Sequence, residues 1–207
     1  HTEYGITSEV WVYVAMDAPV KVTLIKLRNA SGRHRRISVT SYCEWVLGDL
    51  RPKSLLHVQT EVDLRTGALL ARNPAHTEFA GRIVFLDVSD PARTVTGDRK
   101  EFIGRNGTLA QPAALRRVRL SGKAGAGLDP CGATQVMLDL EDGQQRETSV
   151  RLGAGRSLGE VQTLIHRFRQ SDAGRLALER VWAHWGRVLG AVHVDTPDPA
   201  VNVMANG

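Results

Sequence analysis

Apolar and polar residues alternate along most of the first two thirds of the chain, a pattern typical of half-buried β-strands. These segments are rich in β-branched and aromatic residues, and Gly, Asn, Asp and Pro separate them. We predict strands over residues 10–14, 20–28, 36–43, 55–62, 68–71, 82–88, 135–140 and 148–152. One slip in the alternation, at Leu24-Ile25, predicts a β-bulge. Many short strands without helices between them favour an antiparallel sandwich.

Turn residues between neighbouring strands predict three hairpins. They pair 20–28 with 36–43, 55–62 with 68–71, and 135–140 with 148–152. Residues 97–131 carry many Gly and Pro and little periodicity, so they predict a long irregular connection. Such connections are often functional or cover the edge of a sheet.

From Ser157 onward, the spacing of apolar residues changes from that of a strand to that of a helix. Ser157 and Glu160 have the spacing of a capping box, in which each side chain accepts a hydrogen bond from a free backbone amide. Apolar residues at helical spacing predict helices over 157–170 and 173–189. Asp198-Pro199 predicts the start of a third helix, with Asp as the N-cap and Pro in the first turn.

We therefore predict a mainly β fold in two parts. Residues 1–155 form a β domain, and residues 156–207 form a short helical linker. Because the chain begins without Met and ends as the third helix opens, we expect it to be a fragment of a longer protein.

Composition excludes several classes of protein. The chain of 207 residues is 42% hydrophobic and 24% charged, which is globular rather than disordered. The net charge of +5 is carried by arginines scattered among acids, so we predict no nucleic-acid partner. No apolar stretch approaches the roughly 18 residues of a membrane helix. The two cysteines, Cys43 and Cys131, are far apart in sequence, which predicts free thiols and a cytoplasmic location.

The sequence offers weak candidates for catalysis. Six carboxylates lie near apolar residues, but none has a diagnostic spacing for a glycosidase pair: Glu44, Asp49, Glu61, Asp63, Glu78 and Glu101. The Gly-rich run 122–127 lacks the Gly-Lys-Ser/Thr ending of a phosphate loop. We predict no catalytic residue, no metal and no cofactor in this chain.

Five residues are candidates for contact with a sugar. Aromatic faces stack on sugar rings, and carboxylates, amides and guanidinium groups bind hydroxyls or phosphate. The end of a predicted strand and the long connection carry such groups: Trp45, Asp49, Arg51, Arg105 and Asn106. The alternative is structural, with Trp45 in the core and Arg51 and Arg105 in internal salt bridges.

Several blocks of the sequence resemble one enzyme family. They include residues 10–51 with Tyr42-Cys43-Glu44-Trp45, residues 101–107, residues 125–131, and 189–200. These blocks are similar to the N-terminal domain of glycoside hydrolase family 94, the cellobiose and chitobiose phosphorylases. Within it, the phosphorylase-like region of cyclic β-1,2-glucan synthases is the nearest resemblance.

The resemblance implies a β-supersandwich, a helical linker, an (α/α)6 barrel and a C-terminal jelly roll. In the family the general acid and the phosphate-binding residues belong to the barrel, which would begin at about Asp198. It thus implies a non-catalytic domain that supports the active-site cleft and a homodimer. Its partners would be that barrel and, through the parent enzyme, a β-glucan or oligosaccharide. If the parent is a cyclic glucan synthase, the resemblance implies that it is tethered to the inner membrane. The alternative is a stand-alone carbohydrate-binding or assembly module, which a reading frame ending near Gly207 would favour.

Overall fold

The computed structural model describes residues 1–206, and ten strands and five helices follow one another in it. The strands are β1 Thr2–Glu3, β2 Ile6–Val14, β3 Val20–Asn29, β4 Arg35–Glu44, β5 Gln59–Val62, β6 Leu69–Arg72, β7 Ile83–Val88, β8 Thr94–Asp98, β9 Pro130–Leu140 and β10 Gln145–Gly155. The helices are α1 Arg51–Ser54, α2 Arg99–Ile103, α3 Leu158–Arg169, α4 Ala173–Leu189 and α5 Pro199–Asn206. A short 3-10 turn, Ala113–Arg116, interrupts the connection between α2 and β9. None of the helices in this part of the chain has both the length and the apolar content that a membrane span requires.

The strands form two antiparallel sheets packed face to face. The large sheet has the order β1-β2-β3-β10-β7-β6-β5, and the small sheet has the order β4-β9-β8. The core between them includes Leu27, Leu86, Val136, Leu138 and Val150. This architecture confirms the predicted β-sandwich class.

Two of the three predicted hairpins are wrong. β3 pairs with β2 and β10, whereas β4 crosses to the small sheet and pairs with β9. β9 and β10 likewise lie in different sheets. Alternation predicts which face of a strand is buried but not which strand lies beside it, and the apolar faces of β3 and β4 bury each other across the sandwich. The hairpin of β5 and β6 is confirmed.

The two crossings between the sheets lie together and are tied by hydrogen bonds. The side-chain amide of Asn29 donates to the carbonyls of Arg33 and Leu140, at 2.7 and 2.9 Å. The Gly32 amide donates to the Asp142 carboxylate at 2.8 Å, and the Gly143 amide donates to the Asn29 carbonyl at 2.8 Å. These bonds hold the β3–β4 and β9–β10 turns in place, where the strands on either side of each turn do not pair with each other.

The predicted bulge at Leu24-Ile25 is also wrong, since β2 and β3 stay in register from Ile6↔Asn29 to Val14↔Lys21. Both residues are apolar because both faces of β3 are covered. Leu24 packs towards the helices, and Ile25 packs towards the small sheet.

The helices follow the predicted boundaries closely. Ser157 caps α3 by accepting a hydrogen bond from the Glu160 amide at 3.2 Å, and the Glu160 carboxylate accepts one from the Arg156 amide at 2.7 Å. Helix α3 packs on the large sheet through Val161, Ile165 and Phe168, which are almost fully buried. The sequence placed this helix in the linker, and Gly207, the last residue of that linker, lies outside the described residues.

One buried carboxylate ties α3 to the sheet. Asp87 on β7 is 0% exposed and faces three guanidinium groups. Its nearest contacts are with Arg169, whose Nε donates at 3.0 Å, and with the Arg151 Nε at 3.2 Å, while the Arg93 Nε lies 3.8 Å away. Burial lowers the pKa of Arg151 to about 10, against the opposing effect of Asp87. This group of four residues, the Asp87 cluster, joins β7, β10, the β7–β8 turn and the end of α3.

Candidate functional site

The predicted site residues lie in the two segments of chain that leave one end of the small sheet. The register pairs Glu44, the last residue of β4, with Cys131 at the start of β9, and pairs Asp98, the last of β8, with Pro130. The segments that follow β4 and β8 therefore leave the small sheet on the same side. We call these two segments, residues 45–58 and 99–130, the loop end. The five sequence-predicted residues belong to it: Trp45, Asp49, Arg51, Arg105 and Asn106.

A cluster of four charged residues organises the loop end. Glu44 accepts hydrogen bonds from the Arg99 Nε at 2.7 Å and from the Tyr42 hydroxyl at 2.8 Å, and its other oxygen lies 2.9 Å from the Arg51 Nε. Arg51 also donates to the Asp129 carboxylate, and the Arg99 guanidinium lies 3.6 Å from that carboxylate. The cluster links the end of β4 to α1, α2 and the segment before β9.

Electrostatics favour the charged forms of two members of the cluster, Glu44 and Arg99. Burial by itself raises the pKa of Glu44, but the hydrogen bonds from Arg99 and Tyr42 and the nearby positive charges outweigh it and lower that pKa. The pKa of Arg99 is raised, mainly by its hydrogen bond to Glu44. A carboxylate held in its charged form is a poor general acid, and Arg51 is ion-paired with both Glu44 and Asp129.

Trp45 lies in the core between the sheets. It is 5% exposed, and its ring occupies the space above Gly132, where a Cβ would come within 2.5 Å of the indole. The buried ring leaves no face open for stacking on a sugar. Its position agrees with the structural alternative for this residue.

The other predicted residues are exposed. The Asp49 side chain is 76% exposed, and its nearest cationic neighbour is the His76 Nε2 at 3.8 Å. Arg105 and Asn106 line a cavity of about 400 Å³ together with Thr108, and no carboxylate of residues 1–206 lies within 4 Å of the Arg105 guanidinium. Arg105 therefore does not form the internal salt bridge of the structural alternative, and its donors face solvent.

A second cleft runs along β8 and contains Glu101, which itself belongs to the loop end. The cleft measures about 890 Å³, and Arg93, Arg117 and Arg119 also line it. The Glu101 carboxylate accepts hydrogen bonds from the Ser121 amide and hydroxyl, at 2.9 and 2.6 Å, and from Thr96. Although burial raises the pKa of Glu101, these bonds lower it further than burial raises it. The bonds fix the loop at Ser121 rather than leaving a free acid for catalysis.

Sequence reasoning missed most of the partners that define these groups. Arg99 follows β8 with no local pattern to connect it to Glu44, which is 55 residues earlier. Asp87 sits in an apolar strand, where a buried acid could have signalled a paired charge. Trp11, on β2, faces helix α4 across a groove that neither segment reveals alone.

The thiols are free and protonated. Cys43 and Cys131 form no disulfide. Burial raises the pKa of Cys43 to about 12 and raises that of Cys131 as well. Such thiols are poor nucleophiles and serve as packing groups.

Together, the two packed antiparallel sheets define a β-sandwich domain. The chain belongs to the Glycosyl hydrolase 94 family, whose supersandwich-domain profile matches residues 1–171. The match runs through helix α3 and ends just before α4.

Relatives of this chain are enzymes that act on glycosides. It is 33% identical over 189 residues to the cyclic β-(1,2)-glucan synthase NdvB of Rhizobium meliloti (strain 1021), covering 91% of this chain and 7% of that enzyme. It is 22% identical to a 3-O-β-D-glucopyranosyl-β-D-glucuronide phosphorylase of Paenibacillus borealis, covering 97% and 26% of the two chains. It is 23% identical to an N,N'-diacetylchitobiose phosphorylase of Vibrio furnissii, covering 98% and 26%. The chain thus spans about a quarter or less of the length of these relatives.

Proposed function

We propose that this chain is the non-catalytic N-terminal domain of a carbohydrate-active enzyme similar to cyclic β-1,2-glucan synthases and β-glucan phosphorylases. In that enzyme it supports the active-site cleft and contributes to dimerisation. We expect it to act in the cytoplasm, since both of its cysteines are free thiols.

The observation that carries the proposal is the apolar surface beyond the sandwich. The first half of α4 is packed, with Ala177 and Leu178 buried. Its second half exposes large apolar side chains, with Trp185 49% and Leu189 72% exposed, and no residue of α5 is buried. Exposed apolar patches of this kind mark contact surfaces. Because the matched relatives are several times longer than this chain, a catalytic domain or a second copy is the partner we propose for it.

Replacing Trp185 with alanine tests this surface. We expect the chain to self-associate and Trp185→Ala to weaken the dimer about tenfold or more, because buried Trp side chains often dominate interfaces. The fold should be unchanged, since Trp185 is 49% exposed. Sedimentation equilibrium measures the dimer constant, and Leu64→Ala, at a turn residue that is 98% exposed, is the matched control. A strict monomer both before and after the Trp185 change would rule out the dimer surface.

At the loop end we propose that Arg105 and Asn106 face the substrate or the catalytic domain. In the complete enzyme, Arg105→Ala should raise the Michaelis constant for glucan about tenfold or more, as expected for the loss of a charge-assisted hydrogen bond. Arg146→Ala is the control, because Arg146 is an exposed arginine at the start of β10, at the opposite end of the sandwich. Equal kinetics for the two variants would remove Arg105 from the site.

A further inference from the structure

We propose that the groove between helix α4 and the outer face of the large sheet is a binding site for one or two sugar rings of an oligosaccharide. This site, the α4 groove, is lined on the sheet side by Trp11, Lys26 and Glu147 and on the helix side by Arg175, Glu179 and Trp182. That the sugar is a β-glucan rests on the proposed function. The chemistry of the groove by itself defines only the class of ligand, a neutral oligosaccharide.

Helix α4 produces the groove as it leaves the sheet. The Tyr13 hydroxyl donates to the Gly174 carbonyl and fixes the start of α4, and Leu178 is buried in the core beneath the helix. Further along the same face the sheet becomes polar, where Lys26 on β3 stands opposite Glu147 on β10. The helix therefore passes over a polar floor that it does not cover.

Two indoles border this floor. Trp11 lies on β2 opposite Leu24 and is partly buried against the core, whereas Trp182 on α4 is 58% exposed. The groove between them measures about 360 Å³, within the range of about 300–1,000 Å³ typical of small-ligand sites. An exposed indole beside a concave polar surface suits the apolar face of a pyranose.

The polar groups of the groove are available to a ligand. Within residues 1–206, the side chains of Lys26, Gln145 and Glu179 make no hydrogen bond or ion pair, although each lines the groove. Glu147 and Arg175 form a partly exposed ion pair at 3.5 Å, longer than a hydrogen bond of good geometry. Both donors and acceptors therefore remain for sugar hydroxyls.

The charges of the groove favour a neutral ligand. Lys26 and Arg175 contribute two positive charges, and Glu147 and Glu179 contribute two negative charges, so the formal charges cancel. A phosphate or an acidic sugar would gain little net attraction there, whereas hydroxyls can bind to either sign. The combination of an indole platform, mixed donors and acceptors and no net charge is the chemistry of neutral-sugar recognition.

The test follows the four indole N–H signals of the 207-residue chain by NMR during titration with β-1,2-glucan oligosaccharides. We expect the Trp182 and Trp11 signals to shift with saturation, and the buried Trp45 signal to stay in place. Trp182→Ala should weaken binding about tenfold or more, the value of a lost stacking contact. Leu176→Ala is the control, because Leu176 lies on the same helix with similar exposure, 51%, but outside the groove, and this variant should bind within about twofold of the parent chain.

A second variant keeps the test independent of the helix. Gln145→Ala, on β10, removes a hydrogen-bonding group without changing α4 and should also weaken binding. Equal losses for Trp182→Ala and Leu176→Ala, or a Trp182 signal that does not move with any oligosaccharide, would overturn the proposal.

The titration is repeated with cello- and chito-oligosaccharides. This distinguishes failure of the α4 groove proposal from failure of the proposed function. If one of them shifts the Trp182 signal and β-1,2-glucan does not, the groove is supported as a sugar site and the β-1,2-glucan assignment is wrong. If none of the three binds, the groove proposal is overturned, while the proposed function is still decided by the activity and association of the chain.

Discussion

Asp87→Ala should lower the free energy of unfolding by about 3–5 kcal/mol, the loss typical of removing one partner from a buried ion pair. Asp87 is 0% exposed, and its carboxylate is the anion that three guanidinium groups approach. Without it, Arg151, which is 1% exposed, would remain buried with no counter-charge. Urea unfolding followed by circular dichroism measures the loss.

A further variant separates charge from packing in the Asp87 cluster, and a variant elsewhere in the chain is its control. Asp87→Asn preserves the shape of the side chain but not its charge, and we expect it to keep most of the destabilisation. Asp139→Asn is the control, because Asp139 is 62% exposed and pairs only loosely with His34 and Arg36. Exposed pairs contribute about 0–1 kcal/mol, so its effect should be small. An Asp87→Asn variant as stable as the parent chain would show that the carboxylate charge does not stabilise the domain.

Ile165→Ala should lower the free energy of unfolding by about 2–5 kcal/mol, the range for truncating a buried aliphatic side chain. Ile165 is 0% exposed and joins α3 to the core formed by Val22, Leu70 and Phe85. A helix in a free linker would lose almost nothing from the same change. The size of the loss therefore measures whether α3 unfolds together with the sheets.

The control for Ile165 lies on the next helix. Val188, in the second half of α4, is 46% exposed, and Val188→Ala should change stability by no more than about 0.5 kcal/mol. Both variants should unfold in a single transition. If Ile165→Ala costs no more than Val188→Ala, α3 is not part of the sandwich.

The sequence predicted the elements of this fold better than their partners. Alternation located eight of the ten strands, because burial of one face leaves a period-2 signal, but it missed β1 and β8. It could not predict that β3 and β4 lie in different sheets, because a short polar turn connects neighbours in one sheet and neighbours across a sandwich equally well. Capping residues predicted the helices because the signals at Ser157 and Asp198 are local.

For the candidate site, the sequence proposes residues but does not give their contacts. Trp45 and Arg51 follow the end of β4, and Arg105 lies in the long connection after β8. Arg51 forms ion pairs with Glu44 and with Asp129, which is 78 residues away in the sequence. Only the folded structure therefore shows that its guanidinium group is already paired. The α4 groove depends in the same way on Trp11 and Trp182 meeting across the fold.

We propose that this domain has no catalytic machinery of its own. Glycoside cleavage needs a proton donor and a second carboxylate placed on opposite sides of the sugar, or phosphate in place of the attacking water. Glu44 and Glu101, the candidate acids near the clefts, have lowered pKa values because hydrogen bonds stabilise their charged forms.

The most direct test is to incubate the purified chain with β-1,2-glucan oligosaccharides and inorganic phosphate, and to measure glucose 1-phosphate and free glucose. A complete phosphorylase of the family serves as the positive control. We expect no product above the blank at any concentration of the chain. Release of glucose 1-phosphate or glucose in proportion to the concentration of the chain would contradict the assignment of a non-catalytic domain.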